Sequence, residues 1–155
     1  VDRVDVLESS LRRLIGLRPD HAHAYNALGY TFADRAIRLD EAEQLLAKAL
    51  SLAPEDAHIL DSMGWLEFRR GRFDTAVDYL QRAYALRPEA DIAAHLGEVF
   101  WNAGRADDAR RVWRDARERQ PDAVEDRALA EMHDLCGNVF RFGAGDEFGN
   151  VSSER

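Results

Sequence analysis

The feature that most limits what this chain can become is a dipeptide that returns at a near-fixed interval. Leu28-Gly29, Met63-Gly64 and Leu96-Gly97 stand 35 and 33 residues apart. A common pattern of large and small residues surrounds each pair. The first unit runs Tyr25, Leu28, Gly29, Phe32, Ala42, Leu46, Ala49 and Pro54. The second runs Leu60, Met63, Gly64, Gly71, Phe73, Ala76, Leu80, Ala83 and Pro88. The third runs Ala93, Leu96, Gly97, Phe100, Gly104, Ala109, Trp113, Ala116 and Pro121. The closing prolines fall 34 and 33 residues apart, an independent marker of the same period. Self-similarity at this length means helical units stacked into a solenoid, none of which buries its apolar face alone.

The residue types support that reading. A glycine inside a helix costs roughly 1 kcal/mol against alanine. It is tolerated where a neighbour must come close. Ala42, Ala76 and Ala109 would be the small partners on the second helix of each unit. Ala49, Ala83 and Ala116 would face the next unit, and Leu46, Leu80 and Trp113 would fill the space between. Proline cannot continue a helix, so it ends each unit. Helices are expected at about 21–36, 39–52, 55–70, 73–86, 89–103 and 106–119, with Asp20 and Asp40 as N-caps of the first two.

Two departures carry information. Between Phe32 and Ala42 the first unit is one residue longer than the third, and it lacks the glycine found at Gly71 and Gly104. Either its turn is wider or its first helix is longer. The second unit has Glu67 where the others have Phe32 and Phe100, which leaves Phe68 next door to take over that packing.

The three units resemble the tetratricopeptide repeat (TPR), a helix–turn–helix of about 34 residues. The resemblance covers roughly residues 20–121. It implies an all-α, right-handed superhelix with units at 20–54, 55–88 and 89–121. Leu7, Leu11 and Leu14 fall at helical spacing and Pro19 lies 35 residues before Pro54, so 1–19 reads as the second helix of a preceding repeat. Residues 122–136, with Val124, Leu129, Met132 and Leu135, read as a C-terminal capping helix over the open end. Residues 137–155 form a glycine-rich tail, either without fixed structure or anchored by Phe140, Phe142 and Phe148. The chain starts at Val1, without an initiator methionine, and reads as a piece of a longer protein or as a processed one.

Charge narrows the partner. The net charge is −8, which argues against phosphate backbones and anionic membranes. No run of 18 apolar residues offers a membrane span. A single cysteine, Cys136, forms no internal disulfide and leaves the compartment open.

In TPR arrays the first helix of each pair lines the concave face. Helical phase opposite the Leu-Gly pair then nominates His23, Asn26, Tyr30 and Asp34 from the first unit. The second contributes His58, Asp61, Trp65, Phe68 and Arg69; the third contributes Asp91, Ala94, Glu98, Trp101 and Asn102. Trp65 and Trp101 are either groove anchors or packing between helices. Some relatives grip a terminal carboxylate with lysine, arginine and asparagine. Here Asn26 and Arg69 are outnumbered by Asp34, Asp61, Asp91 and Glu98, which suits instead an apolar segment carrying lysine or arginine. His23 and His58 are equivalent and His95 is nearby, but helix axes about 8–10 Å apart do not let them share a metal. His133 and Cys136 supply two ligands, too few for zinc, and no third group orients them as a nucleophile pair. No catalytic residue, metal or cofactor is expected.

The resemblance therefore implies a protein–protein interaction module, an adaptor that binds a partner segment in its concave groove. The stretches Tyr25–Arg35 and Ala94–Trp101 are similar to bacterial TPR proteins. Some of those are cell-envelope lipoproteins that bring substrates to a periplasmic protease; cytoplasm and envelope both remain open. Rival expectations are self-assembly, through the open N-terminal end or the tail, and regulation of an enzyme elsewhere in a longer chain.

Overall fold

The structure, a computed structural model, describes residues 3–119. The expected capping helix and tail, with His133, Cys136 and the three tail phenylalanines, lie outside the described residues. The described residues are built from helices: α1 (Arg3–Leu17), α2 (Ala22–Asp34), α3 (Leu39–Leu52), α4 (Ala57–Arg69), α5 (Phe73–Leu86), α6 (Ala90–Asn102) and α7 (Ala106–Arg119). These stack as antiparallel pairs, α2 with α3, α4 with α5 and α6 with α7. Successive first helices also touch, α2 with α4 and α4 with α6, whereas the second helices α3 and α5 meet chiefly first helices. The α2, α4 and α6 faces therefore lie side by side as one first-helix face.

Within each pair the glycine does what its cost required. A Cβ on Gly29 would stand 2.7 Å from Leu46 Cγ and 3.2 Å from the Ala42 carbonyl oxygen. On Gly64 it would stand 2.5 Å from Leu80 Cγ and 3.1 Å from the Ala76 oxygen. On Gly97 it would fall inside the indole of Trp113, against Nε1. Real carbon atoms do not approach this closely, so each unit is locked by a large side chain seated on bare backbone. The surrounding alanines Ala42, Ala49, Ala76, Ala83, Ala109 and Ala116 are all buried.

The extra residue of the first unit goes into its turn. α2, α4 and α6 are each 13 residues long, and α3, α5 and α7 each 14. The second and third turns use Gly71 (φ 75°) and Gly104 (φ 77°) in the left-handed region. The first turn has no glycine and instead bends at Ala36 (φ 52°) and Arg38 (φ 46°). Non-glycine residues in that region carry strain of order 1 kcal/mol each.

The caps differ from expectation. His21, not Asp20, caps α2, its ring accepting from the Ala24 N–H. α3 begins two residues earlier than an Asp40 cap would allow; Arg38 precedes it, and Asp40 sits in the first turn, where it accepts from Arg70 at 2.7 Å. Asp56 caps α4 by accepting from the N–H groups of His58 and Ile59.

The residue that ends each turn reaches back over the preceding first helix. Arg38 lies over the Phe32 ring at 4.0 Å and Arg105 over Phe100 at 4.4 Å. In the second unit the ring is replaced by Glu67, 4 % exposed, and Arg72 donates to its carboxylate at 3.2 Å. Phe68 stands beside it and packs between Trp65 and Phe73.

α1 is held mainly from one side. Leu11 and Ile15 rest on the first core cluster, yet no residue of α1 is fully buried. Val6, Leu7 and Leu17 are exposed. Glu8 accepts from Arg38 and Arg12, which hold its carboxyl down to about 2, and Arg12 also donates to Glu41.

Candidate functional site on the first-helix face

Three first helices bring one group of nominated residues together. Tyr30 and Asp34 come from α2, Asp61, Trp65 and Arg69 from α4, and Asp91 and Glu98 from α6. At their centre is a residue the helical phase did not nominate, His95. Its Nδ1–H donates to both Asp61 oxygens, at 2.9 and 3.0 Å. Its ring stacks on Trp65 with centroids 4.3 Å apart and lies 6.1 Å from the Tyr30 ring. Asp61 and His95 belong to different units and stand at different places in the repeat, so aligning the repeats does not pair them.

The electrostatics of this group are shared. The Tyr30 hydroxyl is pushed up to about 12, first by burial and then by the carboxylates of Asp34, Asp61, Asp91 and Glu98. Burial alone would lower the His95 imidazole, but its hydrogen bond to Asp61, with Glu98 and Asp91 nearby, holds it above its usual 6.5. Burial raises the Glu98 carboxyl, against the pull of His95 and Arg69. The face is thus an acidic surface, with His95 and Arg69 set among the carboxylates as its cationic groups.

Of the two readings of Trp65, groove anchor or packing between helices, the structure has packing. It is only 6 % exposed, because His95 and Phe68 pack against its ring. Trp101 is partly buried and turns toward α7, 6.3 Å from Trp113 and under Arg110 at 5.6 Å. Phe68 is half-buried between the two core clusters.

The remaining nominated residues sit along the same helices. His23 lies 3.5 Å from Asp56 and His58 lies 3.6 Å from Glu89, so each histidine reaches the acid that precedes the next first helix. Asn26 is half-buried, its amide oxygen enclosed and without a hydrogen-bond partner among the described residues. Asp34 and Asp91 are exposed. Arg69 donates to the Asp34 carbonyl at 3.1 Å, and Asn102 donates to the Glu98 carbonyl at 2.9 Å. Among the described residues no helix is long and apolar enough to cross a membrane.

Comparison with known proteins agrees with this architecture. Three tetratricopeptide repeat profiles match residues 8–57, 38–89 and 67–132. A TPR repeat-containing protein of Pseudomonas aeruginosa is 50 % identical over 92 residues, 59 % of this chain and 16 % of that protein. The match thus spans a small part of a much longer relative. A thermophilic TPR protein of Thermus thermophilus superposes with a TM-score of 0.71 at 25 % identity, over 81 % of this chain and 70 % of that one. A structure of MamA (MSR-1) superposes at 0.58 with 28 % identity, over 74 % and 66 %.

Proposed function

Because the chain belongs to the tetratricopeptide repeat family, we propose that it binds a partner protein segment along the α2–α4–α6 face. The fold is a scaffold for protein interaction. What favours this face is the convergence of Asp34, Asp61, Asp91 and Glu98 from three helices around one half-buried tyrosine. Carboxylates gathered beside rings select a segment that offers lysine or arginine among apolar side chains. The charge gives orientation and encounter rate, and the half-buried rings of Tyr30 and Phe68 give area.

The test compares two sets of amphipathic peptides by fluorescence anisotropy. One set carries lysine and arginine on its polar edge, and the other carries glutamate at the same places. Preferential binding of the basic set, weakened by added salt and by Asp34→Asn with Asp91→Asn, is the expected result. Equal binding of both sets, or binding indifferent to those substitutions, would move the interface elsewhere.

A second reading has its own observation. α1 shows Val6 at 54 %, Leu7 at 43 % and Leu17 at 71 % exposure, on a helix with no buried residue. Such a surface supports self-association through the N-terminal end. Mass that rises with concentration in light scattering, and falls back on Leu7→Glu, would favour it.

A further inference from the structure

The first-helix face holds a titratable group that partner recognition alone does not need. His95 is largely enclosed, and each element packed around it presents charge or a phenol. α2 brings Tyr30 and Asp34, α4 brings Asp61 and Arg69, and α6 itself brings Asp91 and Glu98. The Nδ1–H is committed to Asp61, so the proton that comes and goes is the one on Nε2. When it is present, the imidazolium cancels part of the field of the surrounding carboxylates. When it leaves, the same carboxylates stand uncompensated.

Resting on the cationic-segment reading above, we infer that His95 makes partner binding proton-linked: a partner's lysine or arginine and the imidazolium charge compete for one carboxylate cluster, so binding expels the proton. The competition follows from the shared carboxylates: Asp61, Glu98 and Asp91 act on His95. A cation docked at the exposed Asp91 enters a field that already acts on His95, and one at the exposed Asp34 enters the field of Glu98, which acts on His95 in turn. Two positive charges in a poorly solvated cluster repel, and the labile one leaves. By reciprocity, whatever proton binding does to the partner, the partner does to the proton. Affinity therefore rises with pH across the titration of His95. Glu98, itself raised by burial, adds to the slope from below as it ionises.

The experiment uses the whole 155-residue chain and, as probe, an amphipathic peptide with arginines on its polar edge and leucines on its apolar one. Imidazole resonances are followed by NMR as pH is varied, without and with peptide, and His95 is assigned by its loss in His95→Gln. The expected result is a downward shift of the His95 midpoint on adding peptide, with the exposed His23 and His58 moving less. Affinity should rise roughly three- to tenfold between about pH 5.5 and about pH 8. His95→Gln should lose most of that slope while it still binds. Binding with an unmoved His95 midpoint would overturn the linkage and leave the cationic-segment reading standing. No binding at any pH would overturn both. A midpoint shift shared equally by His23, His58 and His95 would point to general charge screening and overturn the specific role of His95.

Discussion

The crossings inside the repeats and the face between the repeats are built on opposite principles. Inside each unit, a large side chain sits on a glycine: Leu46 on Gly29, Leu80 on Gly64, Trp113 on Gly97. The partners occupy equivalent positions every time, and shape alone decides the fit. Between units, on the first-helix face, Asp61 of the second unit meets His95 of the third, with Trp65 stacked against the ring. Those positions are not equivalent, and charge decides the contact. The first unit has Asn26 where the second has Asp61, so the same pairing is not built between the first two units. The periodic contacts build the array, and the aperiodic one distinguishes one stretch of its first-helix face.

The largest effect expected is at the tightest crossing. Gly97→Ala puts a methyl group inside the Trp113 ring and should cost about 3 kcal/mol in urea denaturation. Gly29→Ala meets the more adaptable side chain of Leu46 and should cost about 1–2 kcal/mol. Adding Trp113→Leu should recover much of the Gly97→Ala loss, since it converts the third crossing into the form of the first two. Equal losses at Gly29 and Gly97 would show that the crossings yield more easily than their geometry implies.

Next in size is the charged contact. Asp61→Asn should cost about 1–3 kcal/mol where His95 is protonated. His95 is held above its usual 6.5, so its contribution is complete below that value and is lost as pH rises through the raised one. The stability gap between parent and variant should therefore be wider near about pH 6 than near about pH 9 in parallel thermal melts. A gap that widened with pH would reverse the assignment of charge to this pair.

The turn arginines offer a finer contrast. Arg72→Ala leaves Glu67 buried without its cation and should cost about 1–2 kcal/mol, a value reduced by the exposure of the Arg72 side chain. Arg105→Ala loses its stacking contact on Phe100 and a surface ion pair with Asp108, and should cost about 0.5–1 kcal/mol. Smallest of all, Leu17→Gln on the outside of α1 should stay within about 0.5 kcal/mol in dilute solution. A larger loss that grew with protein concentration would reveal a partner on that surface.

The same contrast explains what can be read from the sequence. The Leu-Gly pairs, their alanine partners and the bounds of α3, α5 and α7 are all legible, because each rests on a pattern repeated three times. The wider first turn is legible as one of two alternatives, and the equal helix lengths decide between them. The clustering of Tyr30, Asp34, Asp61, Asp91 and Glu98 follows from helical phase. His95 does not, since phase places it beside the buried Leu96, and only the packing of α6 against α4 sets it on Asp61. Trp65 is legible only as one of two alternatives for the same reason: a residue that covers it comes from the neighbouring unit. His21 as a cap has no signal stronger than the aspartate beside it.

The first turn carries one more lesson. Residues 35–38 absorb an added amino acid at the expense of two left-handed bends, and the helices on either side keep the lengths seen in the other units. Spacing along the chain is therefore not the ruler of this array; the seat of a leucine or tryptophan on a glycine is. A graft at that turn (a tag, an epitope or a short binding loop) would lengthen the repeat without changing where the next one sits, which makes the α2–α3 turn the natural point at which to build on this scaffold.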